Sequence, residues 1–378
     1  MDQILNKKSV MIIAGEASGD IHGSRLVMAM HKKDSAIFFY GIGGRALRDA
    51  GVKILVDAAE LSVVGITEVF SKLTGILKGI SIAKRSLKRM HPDLLILIDF
   101  PDFNLHVAAT AKKLKIPVLY YISPQVWAWR PGRVNKIGKL VDHMAVILPF
   151  EQQFYRKHNI PVTFVGHPLL DKSYATDNIC SKMVSDELVI GLLPGSRDGE
   201  IARHLPVMLE AASLISRQAR KVKFIISLAP SVKREHIEDI VKNYKVIIDF
   251  DIVADSVDKV FRQCKLVVAV SGTVTLEAAI SGAPMLIIYK VSPISYWLGK
   301  IMVKVDNIGL VNLIAGKEIV PELVQSKASP ENIADKALDM LNDVSGLERL
   351  KSELSGVRKS LGRPGASERV AEIALNML

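Results

Sequence analysis

Several side chains in this sequence stand where chemistry is done. The apolar run Leu94–Ile98 ends in Asp99-Phe100-Pro101-Asp102-Phe103-Asn104. A carboxylate at such a strand tip can accept a proton from a substrate hydroxyl, so Asp99 is the candidate general base. Asp102 and Asn104 read instead as caps of a helix starting near Leu105. The segment Gly15-Glu16-Ala17-Ser18-Gly19-Asp20 follows the run Val10–Ala14 and opens a helix carrying His22 and Arg25. Its glycines allow close backbone approach, and a helix start offers N–H groups. Glu16, Ser18 and Asp20 are candidate substrate ligands there, with Ser18 as a simple N-cap the competing reading. The spacing is not G-x-G-x-x-G, and it misses G-x-S-x-G by one position. A dinucleotide fingerprint is therefore absent and a hydrolase elbow disfavoured.

Farther on, Ser123-Pro124-Gln125-Val126-Trp127-Ala128-Trp129-Arg130 places two of the three tryptophans beside an arginine. Trp127 and Arg130 would suit a ligand with phosphate and apolar parts, or else ordinary packing. In the second half, Pro194-Gly195-Ser196-Arg197 follows one strand and Ser271-Gly272-Thr273 follows another. Gly195 permits a tight turn, Ser196 can bond an oxygen, and Arg197 can hold a diphosphate bidentately. Ser271, Gly272 and Thr273 open a helix suited to a second anion contact, and Glu277 lies one turn inside it, where ribose hydroxyls could reach. Two such loops in one domain form a nucleotide-diphosphate signature.

Short apolar runs alternating with helical patterns must position these loops. Strands are expected at Val10–Ala14, Ile37–Gly41, Leu94–Ile98, Val118–Ile122, Met144–Leu148 and Thr163–Val165. The second half adds Val189–Leu193, Lys223–Ser227, Val246–Asp249, Leu266–Val270 and Met285–Tyr289. Continuous apolar strands imply parallel sheets covered on both faces, hence α/β doubly wound, Rossmann-like domains. The polar stretch Asp171–Glu187 is the expected linker. Domains are thus expected at 1–172 and 173–330, with C-terminal helices over 331–378 packing back on the first domain or on a partner chain, as in a homodimer.

Fifty Lys and Arg against 39 Asp and Glu give a formal charge of +11, which favours anionic partners. Two distant cysteines, Cys180 and Cys264, fit a reducing compartment and exclude a disulfide framework or zinc finger. No apolar run reaches the roughly 20 residues that span a bilayer, and the N-terminal one is too short for a signal-peptide core. A cytoplasmic, non-spanning protein is expected. No G-x-x-x-x-G-K-[ST], H-E-x-x-H or Cys/His cluster occurs. Asp249-Phe250-Asp251 is a D-x-D of the kind that holds a metal–nucleotide in some transferases. A mechanism without metal or other cofactor, the phosphate charge carried by arginine and helix N-termini, fits better. The sequence offers no nucleic-acid-binding motif.

These loops together resemble those of the lipid A disaccharide synthases, GT-B-fold inverting glycosyltransferases of Gram-negative outer-membrane synthesis. Further matching stretches are Phe164-Val165-Gly166-His167 and Asn312-Leu313-Ile314-Ala315-Gly316. The sequence departs at Phe100, where the family often has a small residue, and at Gln125, where Ser is common. The resemblance implies two Rossmann-like domains facing a central cleft. It implies transfer of 2,3-diacylglucosamine from UDP to the 6-hydroxyl of 2,3-diacylglucosamine 1-phosphate, with inversion. Asp99 matches the proposed base, and Arg197, Glu277 and Asn312 match positions tied to the UDP site or to activity. Neighbouring alternatives are a UDP-N-acetylglucosamine 2-epimerase and a lipid-linked N-acetylglucosaminyltransferase.

Acylated substrates must come from a membrane, and within residues 61–89 Ile66, Val69, Phe70, Leu73, Ile76, Leu77 and Ile80 form an apolar stripe beside a basic one. Val64, Val69, Phe70, Leu73 and Leu77 are candidate membrane contacts, with Lys72, Lys78 and Lys84 facing an anionic inner-membrane surface. Gly75 and Gly79 suggest a shorter or broken helix there. The competing reading is a crossover helix packed on the sheet.

Overall fold

The computed structural model describes residues 7–60, 69–128, 131–171, 188–219, 221–244, 248–254, 257–292 and 307–378. The chain divides into two compact units, Met1–Asp171 with Leu361–Leu378, and Lys172–Ser360. Val64 and Arg130 lie outside the described residues, as does the linker stretch beyond Asp171.

In the first unit, β1 (Ser9–Ala14), β2 (Phe38–Gly43), β3 (Lys53–Asp57), β4 (Leu94–Ile98), β5 (Val118–Tyr121), β6 (His143–Val146) and β7 (Val162–Phe164) form a parallel sheet. Its order is β3-β2-β1-β4-β5-β6-β7. Val10 to Ala14 and Leu94 to Ile98 are 0% exposed, so side chains on both faces of these strands are covered. At about 1.5–3 kcal/mol for each large apolar side chain buried, these central strands anchor the unit. The helices α1 (Ala17–Lys33), α2 (Arg45–Asp49), α3 (Val69–Met90), α4 (Pro101–Lys113), α5 (Val134–Leu140) and α6 (Pro149–Arg156) connect them.

The second unit repeats the plan. Its strands β8 (Leu188–Leu193), β9 (Val222–Ser227), β10 (Phe250–Val253), β11 (Leu266–Val270), β12 (Met285–Tyr289) and β13 (Glu322–Val324) lie in the order β10-β9-β8-β11-β12-β13, again parallel. Helices α7 (Asp198–Gln218), α8 (Arg234–Tyr244), α9 (Val257–Gln263) and α10 (Thr273–Ser281) cover it. In both sheets the strand order reverses beside the first strand, between β1 and β4 and between β8 and β11. Ligands of open α/β sheets bind outside the carboxyl ends of the strands at such a switch point.

The C-terminal helices divide between the units instead of forming one appendage over 331–378. Pro330–Asn342 contributes Ile333, Ala334 and Ala337 to the second core, and Val344–Ser360 stays with that unit through Arg358 Nη1 on the Ile280 carbonyl at 3.3 Å. The last helix, Ala366–Met377, alone returns. It buries Val370, Ala371 and Ala374 in the core shared by β1 and β4. Asp171 Oδ1 accepts the Gly365 and Ala366 N–H groups at 2.7 and 3.4 Å, and Arg369 Nε donates to the Val165 carbonyl at 2.8 Å.

Two further expectations change. The strand expected at Val246–Asp249 begins outside the described residues, the described strand there is Phe250–Val253, and β3 and β13 were not anticipated. Helix α3 runs unbroken for 22 residues through Gly75 and Gly79. A Cβ on Gly75 would stand 3.2 Å from the Glu60 carbonyl oxygen, so that glycine marks a close backbone approach, not a break.

Candidate active site

The register pairs Ala14 with Ile98 and Ile98 with Tyr121, so the ends of β1, β4 and β5 lie side by side. Gly15-Glu16, Asp99-Phe100 and Ile122-Ser123 follow them and form the carboxyl edge of the first sheet. Asp99 and Phe100 both adopt left-handed backbone, at φ of 45° and 50°. Asp tolerates that conformation, but for a bulky residue such as Phe it is a strained outlier. The surroundings hold it there. The Asp99 carbonyl accepts the Tyr120 hydroxyl at 2.6 Å and a short bond from Asn104 Nδ2, which also donates to the Ile98 carbonyl at 3.2 Å. The Phe100 ring occupies the space where a Gly15 Cβ would be, 2.3 Å from that position.

Burial pushes the Asp99 carboxyl up to about 6, and the Glu16 charge adds to the shift. A carboxylate poised there is a far better base near neutrality than an ordinary aspartate, yet it is still largely ionised. Asn104 is not the expected cap. It sits fully buried inside the first turn of α4 and ties that helix to the Asp99 turn, while Asp102 pairs with Arg133 at 2.7 Å.

The Gly15 loop divides differently from its sequence reading. Glu16 is the N-cap position of α1, and Ser18 is exposed in the first turn, so Ser18 is not the cap. Asp20 is buried and its carboxylate is spent inside the protein. It accepts the backbone N–H groups of Gly44, Ala46 and Leu47 at 2.6, 2.8 and 3.3 Å, capping α2. It thus supports the loop from behind and is withdrawn from direct substrate contact. Trp127 is half-buried after β5. Its Nε1 donates to Glu151 Oε1 at 3.1 Å and its ring meets Phe150 edge-on at 4.7 Å.

In the second unit, Leu193 pairs with Ala269, which brings the loops after β8 and β11 together at the switch point. Gly195 has φ 119°, and a Cβ there would lie 2.7 Å from Glu200 Oε2. That carboxylate accepts the Ser196 N–H at 3.1 Å, and Ser231 Oγ donates to the Ser196 carbonyl at 2.7 Å. Arg197 stands at the N-cap of α7 with its side chain 79% exposed, 3.7 Å from Glu200. Gly272 caps α10, where a Cβ would meet open space. Thr273 begins that helix, Glu277 is half-buried one turn in, and the Ser271 N–H donates to the Ile288 carbonyl at 3.1 Å.

Asn312, expected at the nucleotide, is fully buried with every bonding position used. Its Nδ2 donates to the Val320 carbonyl and to Glu322, both at 2.7 Å, and its Oδ1 accepts the Ile319 and Val320 N–H groups at 2.9 Å. Glu322 in turn accepts from Ile308 and Gly309. Asn312 therefore shapes the segment that meets Ser271 Oγ at 3.4 Å, and acts on the site from behind. Asp251 of the D-x-D pairs with Lys223 at 2.9 Å.

Sequence reasoning missed Glu200, Glu322, Glu151 and His204. The buried His204 accepts the Lys290 N–H at Nε2, 2.9 Å away, so its proton sits on Nδ1, which donates to the Glu200 carbonyl at 2.7 Å. It links α7 to the end of β12 as a neutral imidazole, and burial holds its pKa below the ordinary value. A glutamate at the third position of a helix starting Leu-Pro was a visible signal for Glu151. Nothing in the sequence marks its burial.

Comparison with known proteins decides the family. Residues 10–376 match the family model of lipid-A-disaccharide synthetases. The lipid-A-disaccharide synthase of Syntrophus aciditrophicus is 47% identical, covering 99% of each chain, and that of Geobacter metallireducens is 47% identical over 98% of this chain and 97% of its own. The chain belongs to the lipid-A-disaccharide synthase family. It is therefore a glycosyltransferase. Solved structures agree on the GT-B-like fold. MurG of Acinetobacter baumannii superposes with a TM-score of 0.61 at 15% identity, covering 98% of this chain and 99% of its own. The UDP-GlcNAc 2-epimerase of Neisseria meningitidis, solved with UDP-GlcNAc, gives 0.62 at 14% identity over 97% and 100%.

The Asp99 turn yields a test. Asp99→Asn keeps a residue type that tolerates left-handed backbone but cannot take a proton, so turnover should fall by roughly 10²–10⁴-fold. The carboxyl's folded pKa lies above its unfolded one, so the stability it contributes is full below pH ~4 and lost as pH rises through about 6. At pH 8, Asp99→Asn should melt no lower than the parent, whereas Asp99→Ala should melt lower because alanine resists positive φ. Thermal melts and rates of the two variants together check this. Near-normal turnover in folded Asp99→Asn would remove Asp99 from the chemistry.

Proposed function

We propose that this chain transfers 2,3-diacylglucosamine from UDP to the 6-hydroxyl of 2,3-diacylglucosamine 1-phosphate, giving a β-1,6 disaccharide and UDP. The observation that carries the reading is a carboxylate poised near neutrality on a strained turn, in a chain of this family. Asp99 takes the proton as O6 attacks the donor's anomeric carbon from the face opposite UDP. The C1–O bond to the diphosphate breaks and the configuration inverts. Arg197 and the N-termini of α7 and α10 carry the growing diphosphate charge, with Glu277 toward the ribose. No metal is needed in this scheme, so chelators should leave the rate unchanged.

UDP release from the diacylglucosamine donor should require the monosaccharide 1-phosphate, and Arg197→Ala should raise the donor KM by roughly 10- to 100-fold, the worth of a hydrogen bond to a charged group. Equal UDP release without acceptor would indicate hydrolysis instead, and an epimer formed without acceptor would indicate epimerisation. An unchanged donor KM would place the nucleotide elsewhere.

The acylated substrates point to a membrane surface, with helix α3 as the docking element. Among the described residues no helix is long and apolar enough to cross a membrane. Ile76 and Ile80 of the expected stripe pack with Ala83 and Leu87 into the sheet-facing core, so that part of the stripe is core. Leu77 is 56% exposed, and Lys78, Arg85, Lys88 and Arg89 are exposed with it. Val69, Phe70 and Leu73 belong to the same helix, with their side chains outside the described residues. An exposed leucine among cations suits an anionic interface. Leu77→Ser combined with Lys78→Gln and Arg85→Gln should reduce sedimentation with anionic vesicles without changing the melting temperature. Unchanged sedimentation would leave α3 as a crossover helix only.

A further inference from the structure

Glu151 is a carboxylate almost wholly withdrawn from water, at 1% exposure, in the second half of the first unit. A glutamate at the third position of a helix ordinarily caps it from the surface at little cost. Here Oε2 does that work, accepting the Leu148 N–H at 3.1 Å. Oε1 does something else. It accepts Ser123 Oγ at 2.6 Å and Trp127 Nε1 at 3.1 Å, two donors from one short loop after β5. Burial pushes the carboxyl up to about 7 although every donor bonded to it pulls it down, so the site carries a desolvation cost that a plain cap would not incur. The loop it grips lies beside the Asp99 turn, because β5 neighbours β4 and Tyr120 donates directly to the Asp99 carbonyl. Phe150, adjacent to Glu151, presses edge-on against the Trp127 ring. The indole is thus fixed from two directions while remaining half-exposed.

We propose that Glu151 is a positioning residue for the acceptor: it holds Ser123 and Trp127 so that the indole forms a fixed wall against which the acceptor sugar packs next to Asp99. A rigid aromatic face suits the apolar face of a pyranose ring, and holding it in advance spares the ordering cost at binding. The inference rests on the transfer reaction proposed above. Glu151 does not touch the reacting atoms; it acts through Trp127.

The test compares Glu151→Gln, Ser123→Ala and Trp127→Phe with the parent, in acceptor-dependent UDP release at varied donor and acceptor. Glu151→Gln keeps the volume but replaces one acceptor oxygen with a donor. It should raise the acceptor KM about tenfold or more and leave the donor KM within twofold. Trp127→Phe and Ser123→Ala should each raise the acceptor KM by a smaller factor. With Trp129 and Trp297 replaced by Phe, Trp127 emission should shift to the red in Glu151→Gln. Glu151→Gln that lowers the melting temperature while acceptor KM and emission stay put would make Glu151 a cap only and overturn the proposal. Should Glu151→Gln fail to fold, the other two variants decide, and unchanged acceptor KM in both overturns it. Absence of acceptor-dependent UDP release in the parent would remove the transfer reading and this inference together; normal parent turnover with unaltered variants removes the inference alone.

Discussion

The turn that carries Asp99 depends on one close contact, between Gly15 after β1 and the ring of Phe100 after β4. A Cβ on Gly15 would lie 2.3 Å from that ring. Its absence lets Phe100 fold over the neighbouring strand end, and with Phe100 in place the chain can hold two successive left-handed residues. Such conformations cost of order 1–3 kcal/mol each and persist only where the surroundings over-determine them. Here Tyr120, Asn104 and the β4–β5 register do so. That packing, not the strain, keeps Asp99 on a turn at the sheet's switch point, half-buried, next to the charge of Glu16.

The two units solve opposite electrostatic problems with the same topology. At the first switch point the half-buried Asp99 carboxylate stands near the Glu16 charge, which favours its protonated form and tunes it toward the range of a working base. Asp20 and Glu151 show the alternative fate of buried carboxylates, each satisfied by several donors and used as a tie between segments. At the second switch point the site residues meet solvent: Arg197 is exposed beside a helix start and Gly272 leaves room before another. Buried neutral groups, His204 and Asn312, brace those loops from within. An exposed cation backed by rigid dipoles suits a leaving diphosphate, whose charge rises as the bond breaks.

Much of this was legible in the residues. Central strands buried on both faces announce themselves as uninterrupted apolar runs, and β4, β11 and β12 begin and end where those runs do. Edge strands do not. Lys53–Asp57 and Glu322–Val324 are partly exposed and mixed in polarity, and the described strand Phe250–Val253 starts four residues beyond the expected Val246 because the preceding apolar run was the stronger signal. The loops carrying Asp99, Arg197 and Ser271 could be found because they follow strong strands. The fates of Asp20 and Asn312 could not, since they are set by backbone N–H groups brought near only by the fold. The expected stripe on α3 mixed residues of two faces, and Ile76 and Ile80 proved to serve the core.

The fold itself, before any substrate binds, raises the Asp99 carboxyl into the range of a useful base. Rate profiles do not isolate it, because a sugar phosphate acceptor titrates near pH 6 as well. The direct measurement is titration of the Asp99 carboxyl in the free protein, by carbon-detected NMR of aspartate-labelled chain with Asp99→Asn as the reference that assigns the signal. The expected result is a midpoint of about 6. A midpoint near 4, where an unperturbed aspartate titrates, would mean that the fold leaves the carboxyl untuned.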